Sequence, residues 1–192
     1  MEISVAILAG GEGKRVGDLD KGLLPLGTKP VVAHVCEVLC EQARAVLISA
    51  NRNHDEYARY GEVIGDAIPN FKGPLAGIAA ALAHCKTSWL LTVPVDGPDL
   101  PRDLSARLFD AANETNAKAV VAYDGTRRQP LFALYRSDLA QSAAQALERG
   151  LAPWRWQDEI GAIEVDFSDQ PQAFANLNTL DDFREWERRH GV

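Results

Sequence analysis

Short apolar runs alternate with amphipathic stretches along the whole chain. Ile3 to Ala9 is a β-branched run of strand length, ended by a polar, glycine-bearing loop. Between Pro30 and Cys40, Val31, Val35, Val38 and Leu39 recur at helical spacing, and Pro30 suits a first helical turn. Ala43 to Ala50 reads as a second strand. A short helix ends across Tyr57 to Gly61, and Glu62 to Gly65 forms a short strand ending at Asp66. Pro74 opens an alanine-rich helix over Ile78 to Cys85. Gly77 inside it costs about 1 kcal/mol against alanine, a cost that close approach by a ligand or tight helix-on-sheet packing would explain. Trp89 to Val95 is the most apolar run and reads as the buried centre of a parallel sheet.

The second half repeats the pattern. Leu104 to Thr115 is an amphipathic helix with Leu104, Leu108 and Ala112 on one face. The strands Ala117 to Tyr123 and Leu131 to Leu134 are joined through Asp124-Gly125-Thr126, which predicts a hairpin and one antiparallel element. Leu139 to Leu147 is a helix closed by Gly150. Trp154-Arg155-Trp156 offers either a ring sandwich for a planar ligand or a cap on the core, and core packing is the preferred reading. Ala162 to Phe167 alternates as a half-buried strand. Thr179 caps a last helix, Asp181 to Arg189, whose first-turn acids suit the helix dipole. Strands alternating with helices predict one three-layer α/β/α, Rossmann-like domain over residues 1–192. Its sheet is mostly parallel, and its ligand sits at the C-terminal strand edge.

Charge narrows the choice of partner. The 192 residues carry a net charge of −7, which argues against non-specific nucleic-acid or anionic-membrane binding. A polyanionic ligand then needs a local basic site. No apolar run reaches the ~18 residues of a membrane span, and Glu2 leads directly into a strand rather than a signal region. Cys36, Cys40 and Cys85 are odd in number, so a reducing cytoplasm and structural thiols are expected.

The chemistry concentrates at strand ends. Gly10, Gly11 and Gly13 follow the first strand, and glycine lets backbone N–H groups approach a ligand closely. Successive N–H groups form a concave anion site, and Lys14, Arg15 and Lys21 add positive charge around it. The loop lacks G-x-x-x-x-G-K-[ST], and Val16 stands where a third dinucleotide-binding glycine belongs. Asp96, after the most apolar strand, reads as a turn residue or as a hard oxygen ligand for Mg2+. Its pairing with a phosphate loop favours the metal. Asn51 and Asn53 serve a turn and helix cap or a ligand. Asn176 and Asn178, two apart, face one side of an extended segment, to bind a polar ring or to brace a turn.

One pattern spans these places. Leu8-Ala9-Gly10-Gly11, Arg15, Gly17, Asp20-Lys21-Gly22-Leu23 and Leu26-Gly27-Thr28-Lys29-Pro30 open it. Asp66, Gly73-Pro74-Leu75-Ala76-Gly77, Pro94-x-Asp96-x-Pro98, Arg128-Gln129-Pro130 and Asn176-Leu177-Asn178-Thr179 continue it over nearly the whole chain. The chain thereby resembles the molybdenum cofactor guanylyltransferase family, with its nucleotidyltransferase fold. The resemblance implies transfer of GMP from GTP to molybdopterin, with release of pyrophosphate and with Mg2+ as cofactor. Sugar-phosphate, alcohol-phosphate and molybdopterin cytidylyl transfer are the alternatives, and a non-catalytic nucleotide-binding module is a further one.

The resemblance also implies roles for residues. Leu8, Ala9, Gly10, Gly11 and Gly13 meet guanine and nucleotide through their backbone, and Arg15 and Lys21 meet phosphates. Ser49 and Asp66 lie on the nucleotide side, Asp96 holds Mg2+, and Asn176 and Asn178 face the pterin. The catalytic set is Arg15, Lys21 and Asp96. Transient contact with molybdenum-insertion and acceptor proteins is a further implication. Ser49 stands where relatives commonly carry an asparagine, and Val95 where they carry a cysteine.

Overall fold

The computed structural model describes residues 2–10, 20–65 and 73–192. Strand β1 (Ile3–Leu8) is followed by a two-residue hairpin, β2 (Pro25–Leu26) and β3 (Lys29–Pro30), and by α1 (Val31–Cys40). Next come β4 (Ala45–Ser49), α2 (His54–Tyr57), β5 (Glu62–Ile64), α3 (Pro74–His84) and β6 (Trp89–Pro94). The remainder comprises α4 (Leu104–Thr115), β7 (Ala119–Tyr123), β8 (Arg128–Arg136), α5 (Ala140–Glu148), α6 (Pro153–Glu159), β9 (Ile163–Asp166) and α7 (Leu180–His190).

Seven strands form one sheet in the order β5-β4-β1-β6-β8-β7-β9. β1 pairs in parallel with β4 and β6, β4 with β5, and β7 with β9. β8 alone is antiparallel, to β6 on one side and β7 on the other. This is the predicted antiparallel element, and it corrects the reading of Trp89–Val95 as the centre of a parallel sheet. The chain turns back after Tyr123, so β8 enters between β6 and β7 and gives β6 one neighbour of each sense. β8 is also longer than the four residues expected. Its register against β7 slips between Val121 and Ala122, where β8 contains Pro130, which has no N–H to give the ladder.

Alternate residues of the strands point to opposite faces, each covered by helices. On one face Val5, Ile7, Leu91 and Val93 pack with Val35 and Leu39 of α1 and with Leu104 and Leu108 of α4. On the other, Ala6, Leu90 and Val121 pack with Ile78 of α3, Ala143 of α5 and Trp156 of α6. The alanines of α3 let that helix lie close on the sheet. At Gly77 a Cβ would stand 2.6 Å from Ser49 Oγ and 3.1 Å from Leu8 Cδ2, so close helix-on-sheet packing accounts for this glycine.

One local reading is corrected, and another holds for only one of its two residues. Pro30 is not in the first turn of α1. It is extended (φ −71°, ψ 159°) and caps the helix, and the Val31 N–H is satisfied by the Leu24 carbonyl. The two tryptophans of Trp154-Arg155-Trp156 do not act together. Both lie on α6, where residues two apart diverge. Trp156 is buried against Tyr135 (centroids 5.0 Å apart), whereas Trp154 is exposed with the Arg155 guanidinium over its ring.

Among the described residues no helix is long and apolar enough to cross a membrane. The three cysteines are free, and burial pushes the Cys36 thiol up to about 12, which keeps it protonated and unreactive.

Candidate active site

The connections leave the sheet in opposite directions at β1. From there β4 and β5 extend one way, while β6 lies on the other side. The crevice beyond the C-terminal ends of β1 and β6 is therefore the switch point where open α/β sheets bind ligands. Backbone bonds tie its floor together: Ala9 N donates to Ser49 O (2.8 Å) and Val95 N to Leu8 O (3.1 Å). Leu8 is half-buried, Ala9 buried and Gly10 exposed at its mouth. Ser49 is buried, its hydroxyl against the position of Gly77. Gly11, Gly13, Arg15 and Asp66 lie outside the described residues.

Two segments remote in sequence converge on the Lys21 ammonium. It donates to Asn178 Oδ1 at 2.7 Å and lies 3.4 Å from Asp96 Oδ2. The Lys21 and Asp96 side chains keep 18% and 21% of their exposure, so their attraction is screened less than that of a surface pair. Burial pushes the Asp96 carboxyl above its usual value, and Lys21 opposes that shift. Among the described residues Lys21 is the side-chain partner of that carboxylate. The exposed Asn176 has its Oδ1 3.6 Å from where a Cβ on Gly97 would stand.

Each of these side chains sits on a braced piece of backbone. Lys21 opens a short 3-10 turn, Lys21–Leu23, and the carboxylate of Asp20 caps that turn by accepting from Gly22 N (3.3 Å). Asp96 O accepts from Leu177 N at 2.8 Å, joining the end of β6 to the asparagine segment. That segment runs into α7, where Thr179 and Asp182 form a reciprocal capping box. Asp182 Oδ2 also accepts from the backbone N–H of Asn178 (2.8 Å). Those N–H groups hold the Asp182 carboxyl below its usual range. Asp99, three residues beyond Asp96, receives Trp186 Nε1 at 2.6 Å and Arg189 at 3.2 Å, which clamps α7 beside the crevice.

The sequence reading named Lys21, Asp96, Asn176 and Asn178, and the fold brings them to one place. It assigned no role to Asp20, Tyr57 or Asp99. Asp20 stands in the Asp20-Lys21-Gly22-Leu23 motif, which is a local signal. Tyr57 and Asp99 carry none, because their partners are distant in sequence. Asn53 takes the left-handed conformation (φ 54°) as N-cap of α2 and donates to Asp20 Oδ2 at 2.9 Å.

Residues 5–161 match the family model of the MobA-like NTP transferase domain. The chain is 40% identical over 189 residues to a molybdenum cofactor guanylyltransferase of Vibrio parahaemolyticus, covering 96% of this chain and 95% of that one. It is 41% identical over 181 residues to a protein of the same name from a Shewanella strain, with 93% and 92% covered. Its fold is similar to the crystal structure of molybdopterin-guanine dinucleotide biosynthesis protein A from Archaeoglobus fulgidus. The TM-score is 0.82 with 22% identity and 98% of each chain covered.

Proposed function

The chain belongs to the molybdenum cofactor guanylyltransferases, within the MobA-like NTP transferase family, and on that premise we propose that it transfers GMP from GTP to molybdopterin. The products are molybdopterin guanine dinucleotide and pyrophosphate. The observation that carries this reading is the meeting of Lys21, Asp96 and Asn178 beyond the ends of β1 and β6. There a cation, a carboxylate and an amide from three segments face one crevice.

In the proposed reaction a terminal phosphate oxygen of molybdopterin attacks the α-phosphorus of GTP in line. The new P–O bond forms as the bond to the β-phosphate oxygen breaks. The charge that develops on departing pyrophosphate falls to Lys21 and Arg15. In this reading the backbone of Leu8, Ala9 and Gly10 and the side of the crevice at Ser49 meet the base and nucleotide, and the family resemblance assigns Gly11, Gly13 and Asp66, which lie outside the described residues, to the same ligand. Asn176 and Asn178 border the acceptor.

Asp96 fits Mg2+. It is a hard oxygen donor at a strand end, only partly buried, and among the described residues no cluster of three His, Cys, Asp or Glu forms a protein-only cage. One carboxylate completed by phosphate oxygens and water is how Mg2+ is commonly bound. When bound there, the ion supplies charge neutralisation between the reacting phosphates.

We place the reaction in the cytoplasm, in keeping with free cysteines, and expect any contact with molybdenum-insertion or acceptor proteins to be transient. The test incubates the protein with Mg2+, molybdopterin and GTP, CTP or ATP in parallel, and identifies the product by mass. The GMP adduct with GTP alone is the expected result. An adduct with CTP instead, or turnover only with a simple sugar or alcohol phosphate, would overturn the reading.

A further inference from the structure

Behind the site lies a polar cluster with no role in the chemistry above. The Asp20 carboxylate retains only 8% of its side-chain exposure, and its two oxygens face four donors. Oδ1 accepts from the Tyr57 hydroxyl (2.5 Å) and from Gly22 N (3.3 Å). Oδ2 accepts from Asn53 Nδ2 (2.9 Å) and lies 3.6 Å from Arg52 Nε. Asn53, the left-handed N-cap of α2, and Tyr57 at its end are joined by the bond from Tyr57 N to Asn53 O (3.1 Å), and both side chains donate to the same carboxylate. Tyr57 is fully buried, and burial together with the Asp20 contact pushes its hydroxyl far above the usual range, so it stays a donor.

A buried carboxylate is costly unless its oxygens are satisfied. What this arrangement fixes is the turn that carries Lys21. Leu23 N donates to Asp20 O (3.0 Å) and Gly22 N to Asp20 Oδ1 (3.3 Å), so Asp20 anchors the start of the turn through both its carbonyl and its carboxylate. Gly22 allows the turn to press against α2: a Cβ there would collide with the Tyr57 hydroxyl and stand 2.8 Å from Val95 Cγ2. Asp20 points its side chain to α2, while Lys21, the next residue, reaches to Asp96 and Asn178.

We propose that Tyr57 and Asn53, acting through Asp20, are positioning residues that set where the Lys21 ammonium stands. The inference rests on the phosphate role proposed above for Lys21. Tyr57 and Asn53 touch no reacting atom. Their hydrogen bonds lock the Lys21 turn so that the cation reaches the departing phosphate without reorganisation.

A double-mutant cycle tests it. Tyr57→Phe keeps the buried ring and removes the hydroxyl. Its expected effect is a fall in kcat of about 10-fold or more with a smaller change in KM, since misplacement of about 1 Å can cost 10²-fold. In a Lys21→Ala background the same change is expected to cost less than about 2-fold, because groups acting as a unit are non-additive. An equal loss in both backgrounds, or no loss in either, would overturn the proposal. Asn53→Ala, at an exposed position, repeats the cycle if Tyr57→Phe fails to fold, with the same criteria. The cycle is also read in binding of inorganic tripolyphosphate, which depends on neither base nor acceptor. Coupling between Tyr57 and Lys21 there, in a protein that makes no GMP adduct, would sink the substrate assignment and leave the positioning role standing. Additive effects beside normal GMP transfer would do the reverse.

Discussion

Asp20 and Asp96 are both linked to Lys21, and they are held in opposite ways. Asp20 faces four donors and next to no solvent. Asp96, also partly buried, has the Lys21 ammonium at 3.4 Å as its side-chain partner among the described residues. A saturated carboxylate is a rivet. It has no oxygen left to give, and its energy is spent on holding a turn. An under-partnered carboxylate at a strand end retains binding capacity, and burial has already raised the cost of its charge. On the proposed function, the same residue type serves structure on one side of the lysine and chemistry on the other.

The sharpest way to break this contrast is Asp96→Asn, which keeps shape and removes charge. Loss of a preorganised electrostatic group costs about 10²–10³-fold, and here the loss of GMP transfer is expected at or above that range. Stability is expected to move the other way. A carboxyl raised by burial contributes stability below its unfolded value and loses it as pH rises through the folded value. At neutral pH the variant should therefore melt no lower than the parent in the absence of ligands. A drop of several degrees with activity retained would make Asp96 a rivet like Asp20.

Lys21→Ala comes next, with an expected rate loss of at least about 10²-fold and weaker GTP binding. Normal pyrophosphate release would show that the cation only balances charge.

Asn178→Ala is smaller and more informative. The family resemblance places this amide facing the pterin. Because Asn178 Oδ1 accepts from Lys21 at 2.7 Å, the structure couples it to the phosphate side as well. In the bound complex its loss leaves a polar atom unpaired, at about 1–3 kcal/mol, or roughly 5- to 150-fold in affinity, whereas in the free protein the Lys21 side chain, 18% exposed, regains water. Affinities for both GTP and molybdopterin are expected to fall, with melting temperature nearly unchanged. An effect confined to molybdopterin would separate the amide from Lys21.

The smallest effect belongs to Asp182→Asn, which weakens the cap of α7 by about 1 kcal/mol. The Asp182 carboxyl is held below its usual range by the N–H groups of Asn178 and Thr179. Its stabilisation is therefore present above the unfolded value of about 4 and lost as pH falls through the folded value. The melting-temperature gap between parent and variant should close in acid. A gap that persists there would remove the carboxylate from the cap.

The sequence by itself determined what depends on neighbours along the chain. The periodicity of Leu104 to Thr115 placed α4 with both ends correct, and Thr179 announced the cap of α7. The apolar runs gave the strands because alternation decides which side chains are buried whatever the strand pairs with. The motif around Lys21 and the carboxylate after β6 point to the candidate site for the same reason, since strand ends in an α/β sheet are where ligands bind. Tertiary structure alone decided which strands became neighbours. β8 enters between β6 and β7, a pairing no local propensity encodes. It alone decided that Asn178 would reach Lys21 across 157 residues, and that Tyr57 would fasten the aspartate beside that lysine. These contacts form only when the closure of long loops is offset by burial of the whole sheet, so their energies belong to the assembled fold and leave no local trace in the chain.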